Sequence, residues 1–173
     1  GGGSTMMERA KIFARMGYRT ALFMDSDVAY DAARYTELAA HGISVFRWQD
    51  GYSTEAAIFA SVPAAQIPGL LSIACAWRSE DSIDGKIRHA SNGQYNLQQC
   101  RDHFVDVMRP VLGQCAGDGK WFKDIEPAER ALREVIAPAW QNTDAIFAAP
   151  LNSLWQWIST SPTAQPANSP VGV

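Results

Sequence analysis

The sequence predicts an α/β fold built on a parallel sheet, with a helical extension filling the second half of the chain. Two observations carry this expectation. An amphipathic segment, a short continuous apolar run, an Ala-rich helical segment and a second β-branched and aromatic run succeed one another before Gln49. Helix, strand, helix, strand is the rhythm of a doubly wound sheet. After Ser53 every periodic stretch has helical spacing instead. Two convincing strands are few for a whole sheet, so the sheet is expected to be incomplete, with further strands upstream in a longer protein.

The elements follow in order. Gly1 to Thr5 reads either as a linker or as a Gly-rich turn. From Met6 to Met16, the residues Ala10, Ile12, Phe13 and Met16 define an apolar face, with Glu8, Arg9, Lys11 and Arg15 mostly outward; Gly17 stops this helix. Thr20 to Met24 is apolar without alternation, which suits a strand buried on both faces. Residues 29 to 40 carry helical spacing through Ala32, Ala33, Leu38 and Ala39, ending near Gly42. Ile43 to Trp48 is the second strand, closed by the turn-like Gln49-Asp50-Gly51.

Helices are then expected over Thr54 to Ser61, over Ile67 to Arg78 after a break at Pro63 and Pro68, and over residues 97 to 112, with Phe104, Val105 and Met108 on one face. Pro127 suits the first turn of a helix carrying Ala128, Ala131, Leu132, Val135 and Ile136, which Pro138 should end. Leu151, Leu154, Trp155 and Ile158 mark the last helix. The organisation expected is a core α/β domain over 1–62, a helical region over 63–160 that completes and flanks it, and a disordered Ser/Pro/Ala/Asn-rich tail over 161–173.

Composition narrows the chemistry. The chain has 173 residues, of which 47% are hydrophobic, and includes six Trp and seven Phe, enough for a packed core. The formal net charge of −3 gives no global positive field, so contact with nucleic acid must come from a local patch, metal ions or a partner. Three cysteines without a Cys-x-x-Cys pair read as reduced, half-buried thiols rather than zinc ligands or redox groups. No apolar run has membrane-spanning length and no secretory signal is visible, so a cytoplasmic protein without membrane contact is expected.

The residues that suggest chemistry begin at the end of the first strand. Asp25-Ser26-Asp27 lies where ligands bind in open α/β sheets, and where the backbone leaves the sheet both carboxylates can converge on one hard cation. Oxygen ligands suit Mg²⁺ or Mn²⁺, which bridge to phosphate oxygens. The plainer alternative is that the pair caps the following helix, Asp27 being a good N-cap type. Gly51-Tyr52-Ser53-Thr54-Glu55 sets a hydroxyl and a carboxylate at a helix start beside the next strand end. The plainer reading makes Ser53 a cap or turn residue and Glu55 a first-turn acid. Further on, Gly119-Lys120-Trp121-Phe122-Lys123 precedes Asp124-Ile125-Glu126-Pro127. Lys123 could be a surface lysine, although a cation there opposes the helix dipole; Lys120 is its nearest competitor. His41, His89 and His103 have no zinc spacing and read as surface residues. Trp121, Trp155 and Trp157 read as core or interface aromatics. Arg78, Lys86 and Arg88 make a modest basic face, read as solvated surface.

An Asp-x-Asp at a strand end is shared by Toprim nucleases and topoisomerases, haloacid-dehalogenase-type phosphatases and metal-dependent glycosyltransferases. The segment from Gly17 to Asp27, together with Ser53-Thr54-Glu55 and Trp121-Phe122-Lys123, resembles the Toprim half of the overcoming-lysogenisation-defect (OLD) family of ATP-dependent endonucleases. Weaker likeness reaches Leu154 to Trp157, so most of residues 6 to 160 is covered. The resemblance implies a Toprim-like Rossmannoid sheet and a metal-dependent DNA endonuclease. Asp25, Asp27 and Glu55 become metal ligands, with Ser53 beside Glu55 and Lys123 the cation near the scissile phosphate. It implies two Mg²⁺ or Mn²⁺ ions in the complete site, DNA as partner, an upstream ATPase domain, a homo-oligomer and a role in antiphage defence. Paired metals clamp attacking and leaving oxygens, and a lysine offsets charge in the transition state.

The sequence departs from the family at two points. No strand-ending Glu precedes Asp25, since Glu8 lies on an amphipathic helix, and no Gly-x-x-x-x-Gly-Lys-Ser/Thr loop is present. The chain is therefore expected to be the C-terminal piece of a longer ATPase–nuclease and to be inactive alone. The alternatives are a haloacid-dehalogenase-like phosphatase, with Asp25 as nucleophile and Asp27 as acid/base but no later acidic pair, and a non-catalytic Toprim-shaped assembly module.

Overall fold

Two short parallel strands, Ala21–Met24 (β1) and Ser44–Arg47 (β2), form the one sheet among the described residues of the computed structural model, which are 2–49 and 51–160. The rest is mostly helix, so the fold is α/β with a large helical share. Asp50 of the expected turn and the expected disordered tail at 161–173 lie outside the described residues. No single described helix is long and apolar enough to cross a membrane.

Two compact units can be distinguished. One comprises the described parts of Gly1–Phe23, Tyr30–Phe46 and Asn152–Val173; the other comprises Met24–Ala29 and Arg47–Leu151. In the first unit, Gly2–Arg15 (α1) and Ala32–Ala40 (α2) accompany most of the sheet. The Ser44 amide donates to the Thr20 carbonyl at 3.2 Å. β1 alternates, with Leu22 and Met24 buried and its other residues half-buried, and no residue of β2 is fully buried. The expected burial on both faces is therefore not found: alternate residues of β1 stay partly open, so only one of its faces is fully covered.

α1 also departs from expectation. It starts at Gly2, where a linker or turn was an equal reading, and its inward residues are Met7, Ala10 and Lys11. Ile12, Phe13 and Met16, expected inside, are 49%, 52% and 65% exposed. The reason is Lys11. Its ammonium meets Glu37 at 2.5 Å and Glu8 at 2.8 Å, so the stem can be buried with its charge paired. These hydrogen bonds, to Glu37 first, hold the Lys11 amine above its ordinary pKa. α2 begins at Ala32 because Asp31 caps it, accepting from the Ala33 amide at 2.9 Å. Arg19 lies over the Trp157 ring, 3.9 Å from its centre, and donates to the Thr160 carbonyl at 2.7 Å.

The second unit is helical: Thr54–Ser61 (α3), Ile67–Arg78 (α4), Glu80–Ala90 (α5), Leu97–Asp102 (α6), Arg109–Gly119 (α7), Ile125–Arg130 (α8) and the start of Ala145–Ser159 (α9). The helix expected over 97–112 is two helices. An Asn96–Gln99 capping box opens α6, the chain is extended at Val105, and α7 starts with Pro110 in its first turn. A proline inside a helix would lack the needed N–H. Phe104, Val105 and Met108 therefore share no helix face, and Val105 is 50% exposed. The helix over Pro127 begins at Ile125, widens to a π-turn over Ala131–Ile136 and runs on as 3₁₀ over Ala137–Asn142. Pro138 does not end it, because it falls in the first turn of the 3₁₀ segment. α9 starts before Leu151 and contains Pro150. Of the aromatics read as core or interface residues, Trp121 is fully buried, whereas Trp155 is 68% exposed and is not part of the core.

α3 is central to this unit. Ala57 and Phe59 have no exposure, and Phe59 meets Trp121 edge-on at 6.0 Å and Phe122 at 6.4 Å. α7 packs against α3 through Gly113. A Cβ there would stand 2.9 Å from the Ala56 Cα, so only glycine allows this approach.

Candidate active site

β1 delivers the chain into Asp25-Ser26-Asp27, and Ser26 fastens this segment to the loop before α3. Its amide donates to the Tyr52 carbonyl at 2.9 Å, and its carbonyl accepts from the Gly51 amide at 3.0 Å. Its buried hydroxyl donates to the Trp48 carbonyl at 2.9 Å. Gly51, at φ +90°, makes the turn that brings the partners together.

The two aspartates are then separated in role. Asp25 Oδ1 accepts from the Thr54 amide at 2.9 Å and the Thr54 hydroxyl at 2.7 Å, and that hydroxyl accepts from Trp48 Nε1 at 2.9 Å. Asp25 thus satisfies an otherwise unpaired amide in the first turn of α3. Asp27 is exposed, and α2 is capped by Asp31 rather than by Asp27. Ser53 is the N-cap of α3, its hydroxyl accepting from the Ala56 amide at 3.2 Å.

Glu55 is the unusual residue. Only 2% of it is exposed. Its Oε1 lies 3.5 Å from Lys123 Nζ, and its Oε2 is buried with no hydrogen-bond partner. A buried carboxylate oxygen without a partner is costly, and native structures rarely keep one without cause. Lys123 follows Trp121 and Phe122, which are buried against Phe59 and anchor the loop. Lys120, its sequence competitor, ends α7 in the left-handed conformation and does not belong to the same cavity.

Asp27, Ser53, Glu55 and Lys123 line one cavity of about 700 Å³. Asp25 is not among its described lining. The opposite wall is α7, with Arg109, Gly113, Gly117 and Asp118, preceded by Asp106. None of these wall residues stands out in the sequence reading, although glycines four apart on a helix are a visible signal of close approach. The Arg109 guanidinium is already committed. It donates to the Phe59 and Val62 carbonyls at 2.7 and 2.8 Å and pairs with Asp106 at 2.8 Å, closing the C-terminal end of α3.

The fit to a divalent cation rests on the donor set. Among the described residues, no three His, Cys, Asp or Glu side chains are grouped to hold a metal. Two carboxylates, Asp27 and Glu55, do line the same cavity. Mg²⁺ commonly takes one or two protein carboxylates, keeps several waters and completes its shell with phosphate oxygens. The unpartnered Glu55 Oε2, closed off from solvent, is the atom such an ion would satisfy once the side chain turns toward the cavity. No known protein family, curated protein or solved structure matches this chain.

Proposed function

We propose that the Glu55 cavity is a metal-dependent phosphodiesterase centre of the Toprim nuclease kind, acting on DNA. The observation that carries the reading is the buried, unpartnered Glu55 Oε2 in a cavity shared with Asp27 and Lys123. Asp27 and Glu55 would hold Mg²⁺ or Mn²⁺, with Asp25 supporting them by holding the start of α3. When bound, such an ion polarises a phosphoryl oxygen and activates water. Lys123, half exposed beside Glu55, offers its ammonium to the negative charge that builds on the phosphate in the transition state. Ser53 keeps the first turn of α3 in register through its cap. By resemblance, the centre works beside an upstream ATPase domain in a cytoplasmic homo-oligomer engaged in antiphage defence.

A haloacid-dehalogenase-like mechanism draws less support, because its nucleophile would be Asp25, whose Oδ1 is held by Thr54. The non-catalytic module is the second reading, favoured by the lack of a three-ligand group among the described residues. Manganese binding, followed by water-proton relaxation, separates the two. Wild type should bind Mn²⁺ weakly, and Glu55→Gln and Asp27→Asn should each weaken it about tenfold or more, the scale of about 1.4 kcal/mol per lost ligand. Equal binding by wild type and Glu55→Gln would remove the metal centre and leave the assembly module.

A further inference from the structure

The Glu55 cavity has a neighbour. A second depression of about 450 Å³ shares Gln114 and Asp118 with it, so the two adjoin along one ridge of α7. Its other wall is α5, which contributes Asp81, Gly85, Lys86 and His89. A Cβ at Gly85 would meet nothing within 4 Å, so this wall is open. The adjacent Arg88 is tied to Asp84 at 2.6 Å. Lys86, by contrast, makes no side-chain hydrogen bond or ion pair with any described residue, and its stem lies across Gly119. The groove therefore offers one uncommitted ammonium and one exposed imidazole beyond a ridge of one amide and one carboxylate.

Those groups divide by what they can bind. Lys86 and His89 can take a phosphate. Gln114 and Asp118, one helical turn apart, are of the kinds that hydrogen-bond base edges, since an amide can pair with adenine and a carboxylate can accept from a cytosine amino group. Asp81 and Asp118 are the acids present, and they disfavour a second phosphate on the ridge itself. Volume limits the ligand further: depressions of about 450 and 700 Å³ are small-molecule sized. Each can take one nucleotide, and a base seated inside either depression has left its pairing partner.

We propose that the α5/α7 depression is a subsite for the nucleotide next to the scissile phosphate, so that the substrate is a DNA strand unpaired at the site of cleavage. This rests on the phosphodiesterase reading of the Glu55 cavity.

The test is fluorescence anisotropy with the whole chain, using 5′-labelled oligodeoxynucleotides of adenine and cytosine two and twelve nucleotides long, with Ca²⁺ as the cation and a range of salt. Lys86→Gln should bind the twelve-mer about five- to tenfold more weakly and lower its salt slope by about 0.7, the value for one lost phosphate contact on a single strand. Its binding of the dinucleotide should weaken as well, because a dinucleotide already places one nucleotide beside the scissile phosphate. Lys123→Ala should weaken both. If Lys123→Ala weakens binding and Lys86→Gln does not, the subsite is wrong and the active-site reading stands. If neither variant has an effect, or the wild-type chain binds no oligonucleotide, both fall. A twelve-base-pair duplex that binds as tightly as the single strand, with the same dependence on Lys86, would overturn the unpaired-strand assignment.

Discussion

Replacing Gly113 by alanine tests the close packing of α3 on α7 that shapes the cavity, and Gly85→Ala supplies its control. Both glycines are interior to helices, so in each case alanine gains about 1 kcal/mol in helix propensity. The environments differ. At Gly85 an added Cβ meets nothing within 4 Å, whereas at Gly113 it stands 2.9 Å from the Ala56 Cα and 3.4 Å from its Cβ. Overpacking costs about 1–3 kcal/mol. A clash with backbone cannot be relieved by a rotamer change, which points to the upper part of that range. Gly113→Ala should therefore destabilise the chain by about 1–2 kcal/mol net, and Gly85→Ala should stabilise it by up to about 1 kcal/mol. Urea unfolding followed by far-ultraviolet circular dichroism on both variants would read a gap of about 2–3 kcal/mol, or roughly 4–12 °C in melting temperature for a chain of this size. Because Ala56 adjoins Glu55, Gly113→Ala should also weaken Mn²⁺ binding. Gly113→Ala as stable as Gly85→Ala would show that the two helices do not approach as closely as described.

Two further outcomes follow from the titrating groups. Burial pushes the Cys100 and Cys115 thiols up to about 11 and raises Cys75 above its ordinary value, so at pH 8 a thiol reagent should label the native chain slowly and all three cysteines rapidly in urea; rapid native labelling of Cys100 would refute their burial. Asp84 is held below the ordinary carboxylate value, first by Arg88 and then by the Leu97 amide that it accepts at 2.8 Å. Its contribution is full above its ordinary value of 3.8 and fades as pH falls through the lowered one. Asp84→Asn should thus lower the urea midpoint more at pH 7 than at pH 3, and an equal loss at both would refute the linkage.

The parts of the fold visible in the sequence were those with local causes. β1 and β2 could be placed because apolar runs bounded by glycine and aspartate leave few alternatives, and α3 and α4 because Ser53 and the prolines mark their starts. α5 stayed hidden because Ile83 and Ile87 are its only buried apolar residues, too few to show a period. The face of α1 was misjudged for a different reason. Hydropathy places Lys11 outward, but Glu37, which pairs with it, lies in another helix, and no periodicity within α1 reports that partner.

The site divides along the same line. Residue types were legible, but the work of each residue was decided by partners distant in sequence. Asp25 and Asp27 look equivalent as a pair of strand-end carboxylates, yet Thr54 engages the first and leaves the second at the cavity. Ser53, Thr54 and Glu55 are consecutive and do three different things: one caps α3, one binds Asp25, and one is buried against Lys123. The missed wall has a single origin. Treating residues 97–112 as one helix puts Pro110 in its interior and hides the register of everything after it. Pro127 reads as a first-turn residue, and the same rule applied to Pro110 starts a helix at Arg109. Arg109, Gly113 and Gly117 then fall at intervals of four along one face, where two glycines invite a neighbouring helix to approach. One proline assigned by its physical preference would have exposed the face of α7 that closes the Glu55 cavity.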